Sequence, residues 1–130
     1  VGLKNRLEAV RREIGPRMNL GDVEHMSVPK MCLVSAPVDG HVIMTRTFIP
    51  HVCHKTIGVL GAVSVASACL LEGTTANELA DVPDGNPRTM SVAHPGGSLQ
   101  VQIHTDPSGG IDTAGVVRTA RLLFKGEVWG

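Results

Sequence analysis

The chain has 130 residues, and its 12 Lys+Arg balance 12 Asp+Glu, so its formal net charge is zero. This length suits one hydrophobic core of ordinary size, and we predict a single domain over residues 1–130. The chain lacks Tyr and has two Phe and one Trp. A neutral chain with so few rings offers neither a basic surface nor a base-stacking platform, so we expect no nucleic-acid partner and no anionic membrane partner.

The three cysteines indicate a reducing environment. Cys32, Cys53 and Cys69 form an odd-numbered set without the spacing of a small disulfide framework. No basic segment leads into an apolar run of the kind found in secretory signals. We therefore predict a cytoplasmic location. The chain begins at Val1 with residues that resemble the interior of a helix, so we expect it to be part of a longer protein.

The first predicted element is an amphipathic helix. Apolar residues recur at steps of four and three, and they are Leu3, Leu7, Val10 and Ile14. This spacing places them on one face of a helix, with a charged face in solvent. The helix is expected to stop or kink at Gly15-Pro16, or to end at Gly21. The Arg11-Arg12 pair could bind an anion, but a solvated helix face is the favoured interpretation.

Two strands are predicted next. The apolar run Met31–Ala36 lies between two prolines and indicates a buried strand. Asp39-Gly40 has the composition of a turn, and Val42–Phe48 forms a second strand. The two strands are expected to pair as a hairpin.

The segment Ile57–Leu71 is the most informative part of the sequence, because it contains 15 residues without a charge. A helix of that length spans roughly 22 Å, which is too short for a bilayer core of about 30 Å. A helix that is apolar all round must be covered by protein on every side. We therefore predict an α/β (α+β) fold in which a curved, mostly antiparallel sheet wraps around a central apolar helix.

The rest of the sequence predicts a connection and further strands. Glu72-Gly73 ends the central helix, and Thr74–Pro87 is a polar connection. Strands are expected at Thr89–Ala93 and Ser98–Thr105, and the second alternates apolar and polar residues. Gly115–Trp129 is expected to supply one or two more.

The segment before the central helix contains two candidate sites. His51, Cys53 and His54 are potential metal ligands, but three ligands within four residues is not a usual zinc spacing, and Cys32 would have to complete the set. We predict no metal and interpret this segment as a loop. In the stretch from His54 to Ala62, Lys55 and the amides at the start of the helix favour an anion, and Gly58 and Gly61 allow close approach. The alternative is a packing turn without a ligand.

Two later motifs are ambiguous by themselves. His94-Pro95-Gly96-Gly97 is a glycine-rich turn of a common type. Arg118 and Arg121 lie on opposite faces of an expected strand, so one of them could face a pocket, although strand arginines more often lie at the surface.

The order of the motifs resembles the C-terminal part of the PrpF family, over essentially the whole chain. The resemblance is carried by Pro29-Lys30, Leu33-Val34, Arg46, His54-Lys55, Gly61-Ala62, Gly73-Thr74, His94-Pro95-x-Gly97, Arg118-Thr119-Ala120-Arg121 and Gly126-x-Val128. The closing arginine motif and the His-Pro-x-Gly turn are the most specific parts.

The resemblance implies a diaminopimelate epimerase-like fold of two related α/β domains, with the active site in the cleft between them. The family contains cofactor-independent isomerases and tautomerases that shift a proton, and with it a double bond, on small unsaturated di- or tricarboxylates. This chain would then be the C-terminal half. The acid and base of the family, a Cys and a Lys, belong to an N-terminal half, so they are not assigned to Cys53 or Lys55. The catalytic residues are unknown from this chain.

The expected role of this chain is to bind the substrate, a small polycarboxylate. The candidate residues are Lys55, Gly61, Ala62, Arg46, His94, Gly97 and Arg118. Two departures from the family pattern, Leu60 for a Thr and Gly96 for a Ser, remove hydroxyl donors that a carboxylate would use. They favour the alternative of a non-catalytic carboxylate-binding or structural domain with a degenerate site. A face made for the missing domain would also favour self-association.

Overall fold

The computed structural model describes residues 2–130. Within that range the chain forms α1 (Gly2–Arg17), β1 (Met31–Ser35), β2 (Ile43–Phe48), α2 (Val59–Cys69), α3 (Thr75–Leu79), β3 (Arg88–His94), β4 (Gly97–Thr105) and β5 (Ile111–Val117). The predicted first helix, the hairpin strands, the central helix and the two strands that follow it all correspond to observed elements.

The strands form one five-stranded sheet whose spatial order is the order of the sequence, β1-β2-β3-β4-β5. The pair β1 and β2 is antiparallel, as the predicted hairpin requires, and so are β3 with β4 and β4 with β5. Of the strand pairs in the described range, only β2 and β3 run parallel. A parallel pair needs a crossover from one end of the sheet to the other, and residues 49–87 provide it with α2 and α3. The prediction of an α/β fold with a mostly antiparallel sheet is confirmed.

The hydrophobic core lies between α2 and one face of the sheet. The alternation along β4 identifies the face of the sheet that packs against α2. Leu99, Val101 and Ile103 are buried on this face, while Gln100 and His104, on the other face, are exposed. This is the period of two that a strand imposes on its side chains. Burial of each large apolar side chain stabilises the fold by about 1.5–3 kcal/mol. The fully buried partners on the other elements include Ile43, Met90, Val92, Ala62, Ala66 and Cys69.

Helix α2 is covered on one side only. It packs against β3, β4, β5 and α3, and its small residues Ala62 and Ala66 allow close approach to the sheet. On the other side Leu60 is 82% exposed and Val59 is 43% exposed. The prediction that protein covers this helix on every side is therefore wrong for residues 2–130, because a single sheet covers one side of a helix. In the same range, no helix is both long and apolar enough to cross a membrane.

The polar connection Thr74–Pro87 contains a short helix, α3, which the sequence did not predict. Thr74 caps it, since its hydroxyl oxygen accepts from the Asn77 amide at 3.1 Å. The Thr74 hydroxyl donates to Ala68 O at 2.6 Å, and Asn77 Nδ2 donates to Cys69 O at 2.8 Å. These bonds satisfy carbonyls at the end of α2, which have no partner inside their own helix. Five residues are too few to show helical periodicity, so Thr74 as an N-cap was the available signal.

The C-terminal segment differs from its prediction. Strand β5 ends at Val117, and residues 118–130 are exposed and have no regular structure. Within residues 2–130 they pair with no strand, so the prediction of strands up to Trp129 is wrong beyond Val117. The segment presents large apolar side chains to solvent, among them Leu123 at 82%, Phe124 at 79% and Trp129 at 87% exposure.

Helix α1 contacts the domain through a face that includes Arg11 and Gly15, the two buried residues of the helix. Arg11 is only 1% exposed, whereas Leu3 and Val10 of the apolar stripe are 53% and 52% exposed. Gly15 lies against Val23 so closely that a Cβ at position 15 would come within 2.5 Å of Val23 Cγ2. The prediction that the charged face is solvated is therefore wrong for Arg11.

The contacts of Arg11 explain its burial. Its guanidinium bonds the carboxylate of Glu8 and donates to Val23 O at 2.8 Å and Val28 O at 2.5 Å. The bond to Arg11 also lowers the pKa of Glu8 below its usual range. Arg11 thus ties α1 to the loop before β1 rather than binding a free anion.

Candidate functional site

The start of α2 presents free backbone donors. Its N-cap, Gly58, has extended backbone (φ −72°, ψ 160°) and no side chain to cap the helix. The first three helical amides, those of Val59, Leu60 and Gly61, have no partner inside the helix. The amide of Ala62, an expected donor, instead donates to Gly58 O at 2.9 Å. The donors at this helix end are therefore residues 59–61, and Ala62 is a buried packing residue.

The β3–β4 turn packs onto the loop that leads into α2. The Gly96 amide donates to Lys55 O at 2.6 Å, and His94 Nδ1 lies 3.0 Å from the same oxygen. The Gly96 nitrogen lies 3.2 Å from His94 Nδ1. The structure thus brings together two candidate residues, Lys55 and His94, that are 39 residues apart in the sequence. Their positions near the start of α2 form what we call the turn–helix site, which comprises residues 55, 59–61 and 94–97.

The two glycines of the turn have different roles. A Cβ on Gly96 would lie 2.8 Å from Lys55 O, closer than a side chain tolerates against backbone. Gly97 has φ +141°, a conformation that side chains rarely adopt. The glycine at 96, first considered as the loss of a hydroxyl donor, therefore also permits the close approach between the turn and the loop before α2.

Arg46 lies on a different face from α2. Its strand neighbours Thr45 and Thr47 are buried, while Arg46 is exposed, as alternation along β2 requires. The Arg46 side chain lines a cavity of about 350 Å³ together with Leu33, Val34, Ser35, Met44, Thr45 and Pro95. Because Pro95 belongs to the turn–helix site, Arg46 adjoins that site through the turn rather than through the helix. Sequence reasoning missed Pro95 as a wall of this cavity.

Arg118 stands apart from the other candidates. It is the first residue after β5 and lies in the exposed segment 118–130. Among residues 2–130 it makes no side-chain hydrogen bond or ion pair, and nothing in this range brings it to the turn–helix site. Its expected position on a strand face is wrong because the strand ends at Val117.

Two of the three cysteines are poor nucleophiles. Burial raises the pKa of the Cys69 thiol to about 11, and Cys69, the last residue of α2, is fully buried. Burial also raises the pKa of Cys32, although the Thr47 hydroxyl, 3.7 Å from its sulfur, partly opposes this. Since a thiolate is the reactive form, neither residue is suited to remove a proton near neutral pH.

The potential metal ligands His51, Cys53 and His54 contact different parts of the chain. His51 Nδ1 lies 3.7 Å from Glu8 Oε2, Cys53 pairs with the end of β2, and the His54 amide donates to Thr47 O at 2.9 Å. Over residues 2–130 the structure assembles no group of three or more His, Cys, Asp or Glu residues able to hold a metal ion. The alternative of a zinc site at His51, Cys53 and His54 therefore has no geometric support.

Comparison with known proteins places these features in a family. The family described as PrpF protein matches residues 2–130. The chain is 56% identical over 126 residues to a protein named 4-oxalomesaconate tautomerase from Pseudomonas putida. It is 50% identical over 127 residues to a protein named (4E)-oxalomesaconate Delta-isomerase from Novosphingobium sp.. The matches cover 97% and 98% of this chain but 35% and 36% of those relatives.

A solved structure shares the fold. The crystal structure of methylitaconate-delta-isomerase matches with a TM-score of 0.73 at 20% identity, over 91% of this chain and 36% of that protein. The expected resemblance in fold is thereby confirmed. The chain spans little more than a third of the length of each of these proteins.

Proposed function

Because this chain belongs to the PrpF family, we propose that it supplies the substrate-binding half of the active site of a cofactor-independent isomerase. The enzyme would move a proton, and with it a carbon–carbon double bond, on a small unsaturated di- or tricarboxylate. The observation that carries this proposal is the turn–helix site, in which the β3–β4 turn is hydrogen-bonded to Lys55 in the loop that leads to the start of α2. The names of the two close relatives support the same reaction class.

A carboxylate is the ligand best suited to the start of α2. Three unpaired amides and the positive end of the helix dipole favour an anion there. Lys55, whose backbone is bonded to the turn, adds a formal positive charge nearby. Proton removal next to a carboxylate leaves negative charge on its oxygens, so fixed donors at this place would stabilise the intermediate more than the substrate. Each such helix-end interaction contributes about 0.3–2 kcal/mol.

The groups that transfer the proton are expected outside these 130 residues. Cys69 and Cys32 have raised pKa values, which leaves them protonated. We therefore propose that residues 1–130 are the C-terminal domain of a two-domain protein whose other domain brings the acid and the base. The exposed side of α2 at Leu60 and the exposed apolar segment 118–130 support a missing partner surface. In an isolated chain the same surfaces favour self-association, which light scattering measures.

The test is proton exchange in deuterated water with 4-oxalomesaconate and methylitaconate. We expect the longer natural protein to incorporate deuterium and the 130-residue chain to remain inactive, with circular dichroism showing that the isolated chain is folded. Turnover by the isolated chain would refute the half-site proposal. Within the longer protein, Lys55→Met is expected to raise KM about tenfold. Lys4→Met, at an exposed position of α1, is the matched control.

A second candidate, a carboxylate-binding domain without activity, is favoured by Leu60. Its side chain is 82% exposed at the start of α2, where a hydroxyl would otherwise supply a donor. Calorimetry of the longer protein with the same ligands separates the two candidates, since heat of binding without proton exchange would favour the second. For either candidate, the unpaired cysteines Cys32, Cys53 and Cys69 support a cytoplasmic location.

A further inference from the structure

Strand β3 places an arginine on the face of the sheet that packs against α2. Met90 and Val92 are fully buried on this face, and Arg88 shares it because side chains along a strand alternate with a period of two. The residue opposite Arg88 in the sheet is the fully buried Ile103 of β4. Alternation along β3 therefore favours an apolar residue at position 88, whereas the chain has a permanently charged side chain there.

The guanidinium of Arg88 has an unsatisfied donor among residues 2–130. Its Nε is buried and has no hydrogen-bond acceptor in this range, and none of the ion pairs in this range includes Arg88. Buried donors in folded proteins almost always have a partner, and a charged donor costs the most to leave without one. Arg11, by contrast, bonds the Glu8 carboxylate and two carbonyl oxygens. The Nε of Arg88 therefore indicates a site that an acceptor from outside this range completes.

Arg88 lines a cavity at the C-terminal end of α2. The cavity has a volume of about 330 Å³, which is enough for a small molecule. Leu70, the C-cap of α2, and Val82 give it an apolar wall, and both pack against the hydrophobic core. Because α2 has 11 residues, the cavity lies about 16 Å from the turn–helix site at the other end of that helix. The cavity is therefore separate from the proposed substrate site.

The cavity also offers groups that suit a cation. The exposed carboxylate of Asp84 lines it, and within residues 2–130 Asp84 forms no ion pair with Arg88 or with another residue. Asn77 lines it too, and because its Nδ2 donates to Cys69 O at 2.8 Å, its Oδ1 is left as an acceptor. The negative end of the α2 dipole favours a positive charge at this place as well. One cavity thus combines an unpaired cation with an unpaired anion.

A ligand that carries both charges complements this pair. The N–H groups of a guanidinium match the two oxygens of a carboxylate, and an ammonium group donates up to three hydrogen bonds to acceptors such as carboxylate and amide oxygens. A ligand with carboxylates alone would be repelled by Asp84, and an amine alone would be repelled by Arg88.

We propose that this cavity binds a free α-amino acid with a short apolar side chain. The ligand's carboxylate bonds Arg88, its ammonium group bonds Asp84, and its side chain contacts Leu70 and Val82. The site lies outside the turn–helix site, so this inference does not rest on the proposed function.

The first experiment is calorimetry of the longer natural protein with L-leucine and L-valine. Two matched analogues of L-leucine each lack one charge: 4-methylpentanoate has no ammonium group, and 3-methylbutylamine has no carboxylate. We expect the amino acids to bind and each analogue to bind about tenfold more weakly than L-leucine, or weaker still. Absence of binding by both amino acids, or equal affinity for L-leucine and 4-methylpentanoate, would overturn the proposal.

The second experiment repeats the titrations with variants of the two charged residues. Asp84→Asn is expected to weaken L-leucine binding about tenfold and to strengthen 4-methylpentanoate binding, because the repulsion of its carboxylate is removed. Arg88→Met is expected to abolish L-leucine binding without a lower urea midpoint, since an apolar side chain replaces an unpaired charge on the core face. Arg6→Met, at an exposed position of α1, is the matched control and should keep wild-type affinity. Wild-type affinity in Arg88→Met, or weaker 4-methylpentanoate binding in Asp84→Asn, would refute the assignment.

The third experiment locates the ligand by NMR of the backbone amides in the longer natural protein. We expect L-leucine to shift the amide signals of Leu70 and Asn77 and to leave those of residues 59–61 in place. Shifts confined to residues 59–61 would place the amino acid at the turn–helix site and overturn the proposal. Proton exchange on the carboxylate substrates tests the proposed function separately, so the failure of either proposal is recognised without the other.

Discussion

Removal of the Arg11 side chain tests how α1 is held to the domain. Its Nε and Nη2 bond both oxygens of Glu8 at 2.7 and 2.9 Å, and two further bonds reach the carbonyls of Val28 and Val23. Arg11→Ala leaves these acceptors without their donor. Breaking a buried ion pair costs about 3–5 kcal/mol. Glu8 is 21% exposed, so water recovers part of that free energy, and we expect a loss of about 2–3 kcal/mol.

The loss of stability in Arg11→Ala should be confined to α1. Among residues 2–130, α1 has no extensive packing against a strand or another helix, and it is attached mainly through the loop that Arg11 grips. Hydrogen exchange is therefore the assay. We expect the slow amides of α1 to exchange about 30- to 150-fold faster in Arg11→Ala, which is the factor that corresponds to 2–3 kcal/mol. Amides of β3 and β4 should keep their wild-type rates.

Arg17→Ala is the matched control on the same helix. Arg17 pairs with Glu13 at 2.5 Å, but the two side chains are 70% and 66% exposed, and such a pair contributes about 0.5 kcal/mol or less. Equal acceleration of α1 exchange in the two variants would refute the anchoring role of Arg11. Equal acceleration in α1 and in the sheet would show that the helix is part of the cooperative core.

Three other predictions concern the same fold. Gly96→Ala is expected to destabilise the protein by about 1–3 kcal/mol in urea, because its Cβ would lie 2.8 Å from Lys55 O. Gly115→Ala, which meets no atom within 4 Å, should not destabilise it, and equal midpoints would contradict the close approach. The native pKa of Glu8 is lowered from 4.5, chiefly by its hydrogen bond with Arg11. The ionised Glu8 carboxylate therefore stabilises the folded state fully above that pH, and this contribution to the free energy of unfolding is lost as the pH falls below it. The protection factors of α1 amides, which correct for the pH dependence of intrinsic exchange, should therefore fall on acidification, and Glu8→Gln should remove this dependence. Burial raises the pKa of Cys69 from 9.0 to about 11. The protonated thiol is therefore fully compatible with the folded state below pH 9, and its contribution to the free energy of unfolding is lost as the pH rises through 11. Urea midpoints measured from pH 7.5 to 10.5 should fall more steeply for the wild type than for Cys69→Ala, and parallel slopes would contradict this.

Elements with a strong local pattern were predictable. Strand β4 alternates Leu99, Val101 and Ile103 with polar residues, and this pattern matches the geometry of a strand whatever its neighbours are. The uncharged run that forms α2 was equally clear. By contrast, α3 is five residues long and is held by Thr74 and Asn77, whose bonds to the end of α2 exist only once α2 has formed.

The candidate site was predictable in its components but not in its assembly. Lys55 and the turn His94–Gly97 were identified from local chemistry, and the structure brings their backbones into contact. The alternation along β2 that turns Arg46 away from α2 was visible in the sequence, but the face that the helix would cover was not. The contact of His94 Nδ1 with Lys55 O joins atoms of residues 39 apart in the sequence, so no local pattern encodes it.

The fold class, the family and the main strands and helices follow from the sequence alone, because periodicity and short motifs are properties of the chain itself. The tertiary structure sets which surfaces are covered. It buried Arg11 while it left Leu3 and Val10 of α1, Leu60 and the segment 118–130 exposed. Whether a side chain is buried depends on what packs against it in space. Residues 2–130 form one sheet, and this sheet covers one side of α2. A pattern of apolar residues therefore shows that a surface has to be buried against other residues. Only the fold shows whether those residues belong to this chain.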